Sequence, residues 1–240
     1  MYLDSSNEQQ FVHQTSWGVS TRLVGAVIMA HGDENGLRLP PELAPVQVVI
    51  VPIARGEAAR ADVMTVVERI RDDLDEKGIR VEVDDRKGMS PGFKFNHWEV
   101  RGVPLRLEIG PRDLQERHVM SSQRNRPGRD SKFTISLDSI VDSIPGILER
   151  IQSEMFEEAI QKRDSRTYSA ENLEDFREAI VSKPGFYNVW WDGNTEDEAR
   201  LQQETKATVR CIPLEQREGT GKCFMTGRET NTRAIIARAY

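Results

Sequence analysis

The 240-residue chain contains no run of eighteen apolar residues, which argues against a membrane-spanning helix. Its two cysteines, Cys211 and Cys223, are too few for a disulfide framework. The opening MYLDSSNEQQFVHQ has neither the basic nor the apolar region of a secretory leader, so a cytoplasmic protein without a membrane partner is expected. There is no Walker A loop and no G-x-G-x-x-G pattern after a strand, so the common phosphate cradles are missing. Internal repeats and low-complexity tracts are also lacking. What remains is an ordinary globular composition, 38% apolar and 30% charged, long enough for one or two domains.

Charge is unevenly spread. The net charge is −6, yet residues 86–132 carry a local +6, leaving −12 on the rest. A basic middle on an acidic protein is either a phosphate-binding face or a solvated surface that happens to be basic.

Three segments separate by pattern. Residues 1–43 read as a strand pair, SWGVSTRL and VGAVIMAH, closed by the turn residues GDENG and ended by LPPELAP. Residues 44–137 alternate strand and helix. VQVVIVPI at 46–53 is a continuous apolar run, as in a strand covered on both faces. Val63, Val66, Val67, Ile70 and Leu74 mark an amphipathic helix ended by Gly78. IRVEVDD and GVPLRLEIG complete a β-α-β-α-β order, which predicts a three-layer α/β domain. Residues 138–240 start with a long helix striped by Ile140, Ile144, Ile147, Leu148, Ile151 and Met155. A second helix over 169–183 follows, with Ser169 as its expected cap, and then three short strands. This makes the third segment an α+β domain.

Arg22 is flanked by Gly18, Ser20 and Thr21. An arginine so placed reaches phosphate oxygens bidentately, stacks on a flat base and lets a ligand approach the backbone. The competing reading is a strand arginine facing solvent. In FKFNHWEVRGVPLR, aromatic residues alternate with basic ones, as unstacked bases and phosphates require. Phe93, Phe95 and Trp98 are expected to pack rather than stack on bases, and Cys211 and Cys223 to be small buried residues.

QTSWGVSTRLVGAVIMAHGDENGLRLPPELAPVQVVIVPI resembles the end of the catalytic core of the prolyl-tRNA synthetases, running into their anticodon-binding domain. KGMSPGFKFNHWEVRGVPLRLEIGPRDL is similar to the anticodon-domain signature of that family, and the terminal ARAY is similar to its end. The resemblance covers nearly the whole chain, is weakest over 165–220, and points to the archaeal and eukaryote-like form. It implies strands left from a class II catalytic sheet over 1–43, including the third class II motif. An anticodon-binding domain over 44–137 and the family's C-terminal domain over 138–240 would follow.

By the same resemblance, Arg22 would be the catalytic residue. It would bind ATP together with Gln14 and Ser20, while Ser16, Trp17 and Gly18 would line the proline pocket. Glu99, Arg106, Arg126 and Arg129 would contact the anticodon of tRNA(Pro), and the Tyr240 carboxylate would face the active site. Arg124 is a further candidate in the same loop. The activity implied is proline–tRNA ligation, with ATP and Mg2+ in a homodimeric full-length enzyme. This chain alone is expected not to catalyse, because the first and second class II motifs are not in it. The alternative is a non-catalytic tRNA-binding module derived from a synthetase. Relatives of the C-terminal domain often hold zinc through four cysteines. Here Cys223 falls on one such position and Met225 where its partner is expected, so no zinc and no other metal is expected, with Trp190 and Trp191 packing in its place.

Overall fold

The computed structural model describes residues 1–126, 128–216 and 218–238. It starts with a two-residue strand pair, β1 (Tyr2–Leu3) and β2 (Gln9–Gln10). Where sequence alone predicts strands over 16–31, residues 11–20 form no regular element and Arg22–His31 is a helix, α1. The reason is hydrogen bonding. A strand needs a neighbouring ladder, and none of the described residues pairs with this stretch, whereas a helix closes its bonds within itself. No residue of α1 is buried, and Leu23, Val24, Ile28 and Met29 are exposed.

The next elements are β3 (Val48–Pro52), α2 (Glu57–Glu76), β4 (Val81–Val83), α3 (Pro91–Val100), β5 (Leu105–Ile109), α4 (Pro111–Glu116), β6 (His118–Gln123), β7 (Lys132–Ser136) and α5 (Ile140–Asp164). Their sheet has the order β4-β3-β5-β6-β7, with β4, β3 and β5 parallel and β6 and β7 antiparallel. Every residue of β3 is buried, which is why its sequence is an unbroken apolar run rather than an alternating one. Alternate β3 residues pack on opposite faces. Val48 and Ile50 meet Val63, Val67, Ile70 and Leu74 of α2 and Ile144, Leu148 and Ile151 of α5. Val49 and Val51 meet Trp98 of α3, together with Val103. The sheet therefore lies between two helical layers, with α3 packed on the second face.

A second unit begins inside α5, at Phe156. It holds β8 (Thr167–Tyr168), α6 (Leu173–Ser182), β9 (Phe186–Trp190), α7 (Thr195–Thr205), β10 (Ala207–Cys211), β11 (Gly221–Lys222), β12 (Glu229–Thr230) and β13 (Arg233–Arg238). The main sheet has the order β10-β13-β9-β8 over a core of Phe176, Tyr187, Trp191, Leu201 and Phe224. Asn172, not Ser169, caps α6, accepting from the Asp175 N–H at 2.9 Å. Asn194 does the same for α7, accepting from Glu196 and Asp197. Cys223 is buried and its Sγ accepts from the Asp192 N–H at 3.4 Å, but Cys211 is exposed, contrary to expectation. Thr226 Oγ1 and Arg228 Nε donate to the Asp192 carboxylate at 2.7 and 2.9 Å. Trp191 is buried against Phe224, and the Arg233 guanidinium lies 4.0 Å from the Trp190 ring centre.

No helix among the described residues is long and apolar enough to cross a membrane. Tyr240 lies outside the described residues.

Candidate nucleic-acid interface

The site is built on α3. Ser90 caps the helix by accepting from the Phe93 N–H at 3.3 Å, and Pro91 fills a first-turn position where its missing N–H costs nothing. Trp98, anchored on the sheet, fixes the rotation of the helix and leaves the neighbouring Glu99 half-buried on the rim of a cleft of about 320 Å³. Arg106 lines the same cleft from the second position of β5, where the register sets it between Val49 and Ser122. Lys132 and Asp33 complete its polar wall. The two residues singled out from sequence are seven apart, on different elements, and the fold brings them together.

Arg106 is preorganised. Its Nε and Nη2 donate to Glu108 Oε1 at 3.2 and 2.9 Å, and its guanidinium lies 4.2 Å from the Phe95 ring centre. Both charged side chains are nearly buried, 13% and 11% exposed, so the guanidinium plane is fixed before any ligand arrives. The Glu99 carboxylate has no hydrogen bond or ion pair among the described residues. The cleft thus offers a free acceptor and a fixed planar donor.

The loop arginines divide. Arg124 is structural: its fork clasps Asp33 at 2.7 and 2.5 Å, and its Nε donates to the Glu99 carbonyl at 3.0 Å. Those hydrogen bonds, ahead of the opposing effect of burial, hold the Asp33 carboxyl below its ordinary range. Arg126 lines the cleft but is paired with Glu154, Nη2 to Oε1 at 2.5 Å. Arg129 is exposed on a single 3₁₀ turn, Gly128–Ser131, outside the cleft lining. Lys132, missed from sequence, is an exposed cation in the lining with no partner among the described residues. Phe95 and Trp98 pack as expected, whereas Phe93 is 55% exposed.

Asp33 reaches the cleft because residues 37–39 run beside the α3–β5 turn, with Leu37 N–H on the Val100 carbonyl and Leu39 N–H on the Gly102 carbonyl. Gly102 has φ +75°, and a Cβ there would fall 2.7 Å from Leu37 backbone atoms. Gly102→Ala is therefore expected to cost at least about 1–3 kcal/mol. It should also lose hydrogen-exchange protection at the Leu37 and Leu39 amides, because the strand-like contact must open.

The residues 14–22 are not gathered into a pocket. Gln14, Ser16, Trp17, Gly18, Ser20 and Arg22 are all exposed, Trp17 by 93%. Ser20 Oγ accepts from the Arg22 N–H at 3.3 Å. Arg22 stands at the first position of α1 rather than in a strand.

Residues 47–146 match the family model described as anticodon binding domain, and residues 173–240 match that described as prolyl-tRNA synthetase, C-terminal. The proline–tRNA ligase of Roseiflexus sp. strain RS-1 is 45% identical over 240 residues, 100% of this chain and 49% of the relative. Proline–tRNA ligase 2 of Clostridioides difficile strain 630 is 45% identical over 228 residues, 95% of this chain and 46% of the relative. The crystal structure of prolyl-tRNA synthetase from Cryptosporidium parvum complexed with L-proline and AMP is 33% identical, with a TM-score of 0.87. It matches over 99% of this chain and 49% of that one. The chain spans about half the length of the curated relatives it matches.

Proposed function

The chain belongs to the prolyl-tRNA synthetase family, over the C-terminal part of that enzyme, and we propose that its first unit reads the guanines of the tRNA(Pro) anticodon. The observation that carries this reading is the shared cleft of Glu99 and Arg106. A carboxylate accepts from guanine N1–H and N2–H, and a planar guanidinium donates to O6 and N7. Lys132 and Arg126 suit the adjoining phosphates, and Arg129 suits phosphate further along the strand. On this proposal residues 44–137 are the anticodon-binding domain and 138–240 the C-terminal domain, with the first part of α5, up to Met155, packed into the first unit.

The full-length enzyme, on this proposal, activates proline with ATP and Mg2+ to prolyl-adenylate and transfers it to tRNA(Pro), as a cytoplasmic homodimer. Gln14, Ser20 and Arg22 would hold the nucleotide and Ser16, Trp17 and Gly18 the proline ring, with Tyr240 near them. Within this chain those residues enclose no nucleotide, since all the described ones are exposed, and no chemical step is assigned to the chain alone. The same observation favours a second reading, a tRNA-binding module without catalysis. The proposal includes no zinc, because Cys223 with Met225 in its partner's place gives one thiolate and a thioether, short of the four ligands a closed site needs.

The test is binding of this chain to a tRNA(Pro) transcript and to one whose two anticodon guanines are replaced by adenine. Weakening of tenfold or more is expected, because each wrong base costs about 1–3 kcal/mol. Equal affinity for the two transcripts sinks the proposal. No proline-dependent ATP–pyrophosphate exchange is expected from the chain alone on either reading, and exchange above background would overturn both.

A further inference from the structure

A second, larger cleft of about 920 Å³ lies at the opposite end of α3 from Glu99, at the carboxyl ends of the parallel strands β3 and β5. It has no part in the anticodon reading. In the sheet order, β4 lies on one side of β3 and β5 on the other, so the chain reverses direction across the sheet here. Such a switch point leaves an open crevice above the strand ends. The crevice is positively charged from three connections: Arg55 follows β3, Arg86 and Lys87 follow β4, and Arg112, in the first turn of α4, follows β5.

Three of these cations are uncommitted. Arg55, Lys87 and Arg112 are exposed and make no hydrogen bond or ion pair among the described residues. Their neighbours Arg86 and Lys94 are fixed instead, because both hold the buried Asp84. Among the described residues the lining holds one carboxylate, Asp113, which accepts from the Gly110 N–H at 2.7 Å. Loops turning on Gly56 (φ +83°) and Gly88 (φ +79°) hold the free cations around the crevice. Solvated lysines and arginines usually spread over convex surface. Here cations from separate segments of the chain line one concavity, with Ile53 and Met89 as an apolar wall.

We propose that this crevice binds a ligand carrying at least two phosphate groups. Its volume is too large for one phosphate, and three separate free cations match a chain of anionic charge better than a single one. Consecutive phosphodiesters of an RNA strand and the phosphate chain of a free nucleotide share that chemistry. The sequence already points this way, since Arg86, Lys87 and Arg112 belong to the basic window at 86–132.

The test uses the 240-residue chain and two probes, inorganic tripolyphosphate by calorimetry and the tRNA(Pro) transcript over a salt series. In the triple variant Arg55→Gln, Lys87→Gln, Arg112→Gln, tripolyphosphate affinity is expected to fall at least tenfold. If RNA is the source, the slope of log affinity against log salt also falls by about two, from three lost contacts at about 0.7 each. Loss of tripolyphosphate binding with an unchanged RNA slope supports the proposal and assigns a free phosphate ligand. Unchanged tripolyphosphate binding with an unchanged RNA slope overturns it, as does a wild-type chain that binds no tripolyphosphate and whose RNA slope the variant leaves intact. The single variants Arg55→Gln and Lys87→Gln, each expected to give part of the loss, cover the case in which the triple variant does not fold. Guanine discrimination is measured separately on the same proteins, so failure of the crevice and failure of the anticodon reading give different results.

Discussion

Asp84→Ala is expected to destabilise the first unit by about 3–5 kcal/mol, read as a lower urea midpoint with an unchanged slope. The Asp84 side chain has no exposure, and it accepts from Arg86 Nε and Nη2 at 2.8 and 2.7 Å and from Trp98 Nε1 at 2.9 Å. Lys94 Nζ lies 3.7 Å from Oδ1, and Lys94 itself is 4% exposed. Removing the carboxylate leaves a buried ammonium with only a backbone carbonyl, and an indole N–H with no acceptor. Breaking one side of such a group costs more than deleting both, so the double variant Asp84→Ala, Lys94→Met should recover part of the loss. A double variant no more stable than Asp84→Ala would show that the Lys94 charge is not the source.

The same carboxylate sets a pH dependence. Burial alone would raise its pKa, but hydrogen bonds from Arg86 and Trp98 and the charge of Lys94 outweigh that and hold it well below the usual range. A depressed folded pKa contributes stability that is fully present above the unfolded value, about 3.9, and is lost as pH falls through the folded one. Stability should therefore hold from neutrality down to about pH 5 and fall in acid, and Asp84→Asn should flatten that fall.

Arg106→Lys is expected to cost about 1–3 kcal/mol of guanine discrimination, a loss of about 10- to 100-fold between native and guanine-replaced transcripts. Lysine keeps the positive charge near Glu108 and Phe95, so the fold and the salt dependence should change little. It lacks the planar fork that meets two acceptors at once. Retained discrimination in this variant would mean that charge, not geometry, is read. Glu99→Gln should act on the same ratio, because the amide presents donors where guanine also donates.

Much of the architecture was legible in the sequence, for reasons visible in particular residues. The β3 run and the α2 stripe are periodic because each faces a large core, and burial imposes the period. β6 and β7 were missed: HVMSSQ and KFTIS are short and largely polar, and they pair beside β5 through backbone hydrogen bonds. α7 escaped because its mean composition is polar, although Asn194 followed by Asp197 was a readable start. At the site, Glu99 and Arg106 were found through resemblance. The roles of the loop arginines were not, since only the fold shows that Arg124 is consumed by Asp33 while Lys132 stays free. The strands expected at 16–31 failed for the opposite reason to β6: the residues suit a ladder that no described neighbour supplies.

Helix α1 gives the molecule a second, lower scale of cooperativity. Ten residues closing their own hydrogen bonds, with none of them buried, sit near the limit at which an isolated helix persists in water. The sheet and its helices open only when their core opens. α1 is free to fray and re-form without disturbing that core, on the fast timescale of a helix–coil transition rather than that of global unfolding.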